Sequence, residues 1–272
     1  MLYTQTISPW YDSCMSDGST FIGSIPPYLF SLILAIGFGV GMVWSIWLES
    51  STMKRAFTIL KNGCMVLCCS LIGGRISYLV ENWGYFQGNL KTIVQIWSGG
   101  ISWPGALIGG LIIIFILKLV FGIPFGEISD PLLPLFTCIT ISVWLGCWLT
   151  GNAYGVELNT WWAVPARDEF GNIALRWPTQ LIGSISALSI HFLVDILGKH
   201  WKNQYPGVAT CIEITGLATT IIILGLFRAD FSSYWKGIDL NVWISAFIVL
   251  ITLLFTLFPF KLKTFRVKIE DK

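Results

Sequence analysis

Apolar runs, rather than alternating positions, set the pattern of this chain. Seven of them, at about 28–47, 61–80, 104–121, 131–150, 179–198, 208–227 and 242–260, are separated by short polar or turn-rich stretches. Crossing a hydrocarbon core takes ~20 helical residues, and backbone groups in lipid must be satisfied within their own segment. The pattern therefore predicts an all-α integral membrane protein with seven transmembrane helices. A polar-to-mixed segment, residues 1–27, precedes them. It carries no Lys or Arg and holds Pro9, Pro26 and Pro27, unlike the basic start and short apolar centre of a signal peptide. A basic tail, residues 261–272, follows. No period of 20–50 residues signals a repeat.

Cationic residues orient the predicted bundle. Lys54, Arg55, Lys61, Lys118, Lys199, Lys202, Lys261, Lys263, Arg266, Lys268 and Lys272 lie at one set of ends. Arg75, Lys91, Arg167, Arg176, Arg228 and Lys236 lie at the other. The richer set belongs in the cytoplasm, which puts the N-terminus outside and the C-terminus inside. The three longer loops, about 81–103, 151–178 and 228–241, then lie outside, and a site built from loops should face the outer leaflet.

Composition agrees with lipid as the main solvent. Of 272 residues, 54% are hydrophobic and 12% charged, where soluble domains carry roughly 25% charged residues. Many of the 14 tryptophans flank apolar runs, as interface anchoring predicts. A net charge of +2, with no basic cluster interleaved with aromatics, argues against a nucleic-acid partner. The seven cysteines show no metal-ligand spacing and read as small buried hydrophobes, not a disulfide framework. No cofactor is expected.

Ionisable residues inside membrane segments are costly and mark candidate chemistry. Arg75, near the outer end of the second run, suits either a snorkelling stem or a lipid phosphate. Arg228 ends the sixth run and can pair with Asp230. His191 and Asp195, four apart on one helical face of the fifth run, suggest an interhelical contact. His200 lies beyond that run and should be solvated. Between these stands the glycine-rich loop Trp97-Ser-Gly99-Gly100-Ile-Ser-Trp103-Pro104-Gly105. It reads either as an interfacial turn with Gly105/Gly109 as a helix-packing face or as a close approach to a ligand.

The motifs also come in a telling order. Gly74-Arg75-Ile-Ser-Tyr78, Ile96-Trp97-Ser-Gly99-Gly100-Ile-Ser102, Gly105-Ala-Leu-Ile-Gly109-Gly110 and Asp130-Pro-Leu-Leu-Pro134 come first. Gly151-Asn-Ala-Tyr154-Gly155, Trp162-Ala-Val164, Pro178-Thr-Gln180-Leu181 and Arg228-Ala-Asp230 follow. Over about residues 26–255 this series resembles the prolipoprotein diacylglyceryl transferase family. The resemblance implies a multi-pass protein of the bacterial inner membrane and a phosphatidylglycerol-like phospholipid partner. It also implies transfer of a diacylglyceryl group to a prolipoprotein cysteine.

At the positions that carry the family's chemistry, the chain differs. The family's Ser-Phe-His-Gly-Gly falls on Ser102-Trp103-Pro104-Gly105-Ala106, so Pro104 replaces the essential histidine. Its Gly-Arg-Ile-Gly-Asn-Phe-Ile-Asn-Gly-Glu falls on residues 143–152, which puts Val143, Trp144, Cys147, Thr150 and Asn152 at polar or glycine positions. Its His-Pro-Ser/Thr-Gln-Leu-Tyr-Glu becomes Trp177-Pro178-Thr179-Gln180-Leu181-Ile182-Gly183. Ile221 and Gly225 fall on a further arginine and glutamate, although a shifted alignment gives Arg228 the arginine's role. The resemblance leaves Arg75, Gly99, Gly100, Gly105, Tyr154, Gln180 and Arg228 as candidate lipid-binding positions. The expectation is a transferase-like protein that holds lipid without catalysis, alone or as a subunit of a membrane assembly. An active transferase, with Arg75 and Arg228 on phosphate and Tyr154 orienting it, is the alternative, and a small-solute transporter using His191 the third reading.

Overall fold

The computed structural model describes residues 28–87, 93–94, 100–168, 171–198, 205–230, 234–235 and 238–270. Gly99, His200 and Cys14 lie outside them, as does the expected segment 1–27. The apolar runs form helices: α1 (Tyr28–Glu49), α2 (Met53–Glu81), the short α3 (Trp83–Phe86) and α4 (Trp103–Phe121). Then come α5 (Phe125–Ser129), a 3-10 turn (Asp130–Leu132), α6 (Leu133–Thr150), α7 (Thr179–Gly198), α8 (Val208–Gly225) and α9 (Leu240–Glu270).

Among the described residues, six helices are long and apolar enough to cross a membrane, with α5 to α6 counted as one. The seventh expected span corresponds to Leu240–Thr256, a shorter apolar stretch of α9. The helical backbone of α9 continues to Glu270, past the tail boundary expected at 260. The loops are not wholly irregular. β1 (Val164–Arg167) and β2 (Ile173–Arg176) pair antiparallel, and so do β3 (Tyr234–Trp235) and β4 (Ile238–Asp239).

The helices pack in the order α4–α2–α1–α6–α7–α8–α9. Glycines permit the tightest crossings. A Cβ on Gly105 would stand 2.4 Å from Gly73 O, and one on Gly109 would stand 2.3 Å from Cys69 O. The expected packing face of Gly105 and Gly109 is thus the α2–α4 seam, where helix backbones touch. Between α1 and α6, Gly41 meets Leu135 and Cys138 in the same way. The two ends of the row join where Trp103 Nε1, at the start of α4, donates to Asn241 Oδ1, at the start of α9 (2.8 Å). The described cysteines, Cys64, Cys68, Cys69, Cys138, Cys147 and Cys211, are free thiols.

Candidate lipid site

The loop that leaves α6 is densely hydrogen-bonded. Gly151 caps α6 in the left-handed region (φ 71°), and Ala153 holds a positive φ of 55° without being glycine. Such a conformation is uncommon for alanine and persists where neighbours enforce it. Asp230 Oδ2 accepts the Ala153 N–H at 3.1 Å, and Thr179 Oγ1 donates to Ala153 O. Gln180 Nε2 donates to Asn152 O at 2.9 Å. Ala229 N donates to Tyr154 O and Val156 N to Phe227 O, both at 2.9 Å, so segments 153–156 and 227–230 run together. Asn152 is exposed, its Nδ2 donating to Thr150 Oγ1 at 2.8 Å.

Two guanidiniums lie in this clamp. Arg228 donates through Nε to Asp230 Oδ1 (2.8 Å) and through Nη2 to Asp230 Oδ2 (2.6 Å), a bidentate pair. Burial opposes the Arg228 charge, but the hydrogen bonds and charge of Asp230, with the charge of Asp239, outweigh it and raise the pKa above its ordinary value. Arg176 stands 4.6 Å from the Tyr154 ring and pairs with Glu157 (3.2 Å) and Asp168 (3.4 Å). Trp177 stacks on Phe227 (4.5 Å, 12°) and meets Trp162 edge-on at 4.5 Å. The structure thus brings Asn152, Tyr154, Gln180 and Arg228 together, with Cys147 within range of the Arg228 and Asp230 charges.

Arg75, Gly100, Pro104 and Gly105 form a neighbouring group at the start of α4. Arg75, 6% exposed, donates through Nε to Ile93 O (2.9 Å) and through Nη1 to Gly100 O (3.1 Å). Its guanidinium stands 5.9 Å from the centre of the Tyr78 ring and 5.4 Å from that of Phe86. Gly100 has φ 80°, and a Cβ there would stand 2.5 Å from the Tyr78 ring. Pro104 is buried in the first turn of α4, where its missing N–H costs nothing. Ser102, the residue before α4, donates to Glu81 Oε1 at 2.7 Å, and Ser77 donates to the same oxygen at 2.9 Å. Glu81 went unremarked in the sequence because it follows an apolar run without any motif of its own. Asn241 connects the two groups, accepting from Trp103 and donating through N and Nδ2 to Asp239 Oδ1 (2.8 and 3.0 Å).

Trp144 lies on the α6–α7 seam. A Cβ on Gly183 would come 2.4 Å from its indole. His191, 3% exposed, turns Nδ1 to Glu213 Oε2 at 3.1 Å across α7 and α8, the interhelical contact expected of this face. Glu213, 1% exposed, also accepts from Thr137 Oγ1 on α6 (2.8 Å). Sequence reading missed Glu213, although a lone carboxylate inside the sixth apolar run was the available signal.

Known proteins give this architecture a context. A family profile described as prolipoprotein diacylglyceryl transferase matches residues 19–258. The chain is 28% identical over 230 residues to the phosphatidylglycerol–prolipoprotein diacylglyceryl transferase of Thermosynechococcus vestitus, covering 78% of this chain and 85% of that one. The enzyme of the same name from Streptococcus agalactiae is 26% identical over 221 residues (78% and 84%). That from Clostridioides difficile is 26% identical over 208 residues (73% and 82%). With apolar helices of spanning length and a match over most of its length, the chain belongs to the prolipoprotein diacylglyceryl transferase family, as a multi-pass protein of the bacterial inner membrane.

Proposed function

We propose that this member holds a glycerophospholipid at the loop clamp without performing the family's transfer, acting alone or as a lipid-holding subunit of a membrane assembly. The observation that carries this reading is the Trp144–Gly183 contact. The resemblance puts the family's arginine and glutamate at these two positions. Here one is an indole and the other has no side chain, and the indole fills the space that a side chain at 183 would need. Replacing guanidinium by indole removes the charge-assisted bonds a phosphate uses. Pro104 likewise supplies no imidazole where the family takes up the thiol proton. Arg228, Tyr154, Gln180, Arg75 and the glycines Gly99, Gly100 and Gly105 are what is left to hold the lipid.

The test pairs two measurements on the full chain. Mass spectrometry of the purified protein should find bound phospholipid. Expression in a strain depleted of the transferase should not restore lipoprotein maturation, and restoration would overturn the reading.

One observation favours the second reading, retained transfer. Glu81, hydrogen-bonded by Ser102 two residues before Pro104, puts a carboxylate near the family's histidine position. If it takes the thiol proton, the chain complements the depleted strain and Glu81→Gln abolishes that complementation.

A further inference from the structure

We infer that the bundle carries a second lipid site, a groove beside the α1–α2 hairpin that takes an anionic glycerophospholipid. Its chains lie on the apolar wall of the groove and its phosphate meets Lys54. This goes beyond the lipid held at the clamp and does not depend on it. α2 begins at the groove and ends at Glu81, which Ser102 joins to the start of α4. The two sites therefore stand at opposite ends of the bundle.

Packing leaves the groove open. α1 packs chiefly on α6 and α2 chiefly on α4, and the two helices share a much smaller contact. They meet where the Met42 side chain lies against Gly63. Between that contact and the hairpin turn is a groove of about 730 Å³, lined by Ile46 of α1 and by Met53, Lys54, Ala56, Phe57 and Leu60 of α2. Met53 is 86% exposed and Phe57 67%, so this wall presents hydrocarbon to whatever fills the groove.

Charge selects the headgroup. Lys54 lines the groove, and among the described residues no carboxylate pairs with it. Arg55 follows, in loose contact with Glu49 at 3.8 Å. Two turns on, the Lys61 ammonium stands 5.3 Å from the Phe121 ring at the end of α4, three residues after Lys118. Lys54, Arg55, Lys61 and Lys118 thus gather at one end of α2 and α4, with Glu49 the carboxylate in contact and Glu127 the next along the chain. Basic pockets at the membrane surface attract anionic headgroups, by about fivefold for each cation. A zwitterionic headgroup brings its own ammonium towards the same cations and gains less.

The experiment replaces Phe57 by photoreactive benzoylphenylalanine in the full-length protein, in vesicles of equimolar phosphatidylglycerol and phosphatidylethanolamine. After irradiation, mass spectrometry counts the lipid adducts on the peptide that holds the probe. Phosphatidylglycerol adducts should exceed those of phosphatidylethanolamine about fivefold. Lys54→Gln, at an exposed position, should bring the ratio close to one, and Lys61→Gln should lower it by a smaller factor. The same probe at Leu197, exposed at the same end of the bundle and two residues before Lys199, should show at most about a twofold preference. Equal ratios at 57 and 197 would make the preference a property of the whole basic end and overturn the site. So would a ratio that Lys54→Gln leaves unchanged, or the lack of any lipid adduct at 57. Each of these results leaves the reading of the clamp untouched, because the probe reports only on the groove.

Discussion

At the scale of single residues, Trp144 and Gly183 are fitted to each other, so that neither can be enlarged or recharged alone. Gly183→Glu alone should drive a side chain into the indole, and Trp144→Arg alone should bury a cation beside glycine. Together they are complementary in size and charge. A double-mutant cycle on thermal stability in detergent should therefore show favourable coupling of about 1–3 kcal/mol, and additive effects would refute the pairing. Pro104 illustrates how far a single residue could be read. Its identity excluded an imidazole, but that it forms the first turn of α4 beside the Glu81–Ser102 contact emerged only from the fold. Glu213 shows the reverse, a residue visible in the sequence whose weight depends on its partners His191 and Thr137.

At the scale of elements, the apolar runs located the helices because lipid leaves the backbone no other way to bond. Expected and observed boundaries of the fifth run, α7, coincide at 179–198. At the fourth run, prolines account for a difference. The fourth run begins with Asp130-Pro-Leu-Leu-Pro134, and there the chain makes a 3-10 turn before α6. The short ribbons β1–β2 and β3–β4 were not foreseen, since strands of four and two residues leave no period to detect. The α2–α4 seam is the element-level feature most open to test. Gly109→Leu should push Cys69 and its helix away and sharply reduce accumulation in the membrane, whereas Gly39→Leu, which has open space around it, should be tolerated. Equal levels of both variants would show that the crossing does not depend on glycine.

At the scale of the whole molecule, the helix row closes on itself through Trp103 and Asn241, which sets the glycine loop beside the Arg228 clamp. The charge bias proposes an outside N-terminus and a cytoplasmic C-terminus, with α9 as the seventh span. Alkaline phosphatase fused after Leu158 should then be active and the same enzyme fused after Lys272 inactive; the opposite pattern would invert the bundle and put the clamp in the cytoplasm.

The sequence by itself determined the solvent, most of the helices and the family, because hydropathy and ordered motifs are properties of residues in a line. It did not determine which groups satisfy one another. The Arg228–Asp230 pair, two residues apart, was legible in the sequence, but that Arg75 holds the glycine loop and that His191 turns to Glu213 depended on contacts 25 and 22 residues apart. Only the tertiary structure decides these, since a hydrogen bond depends on distance and angle in space, and spacing along the chain constrains neither between separate helices.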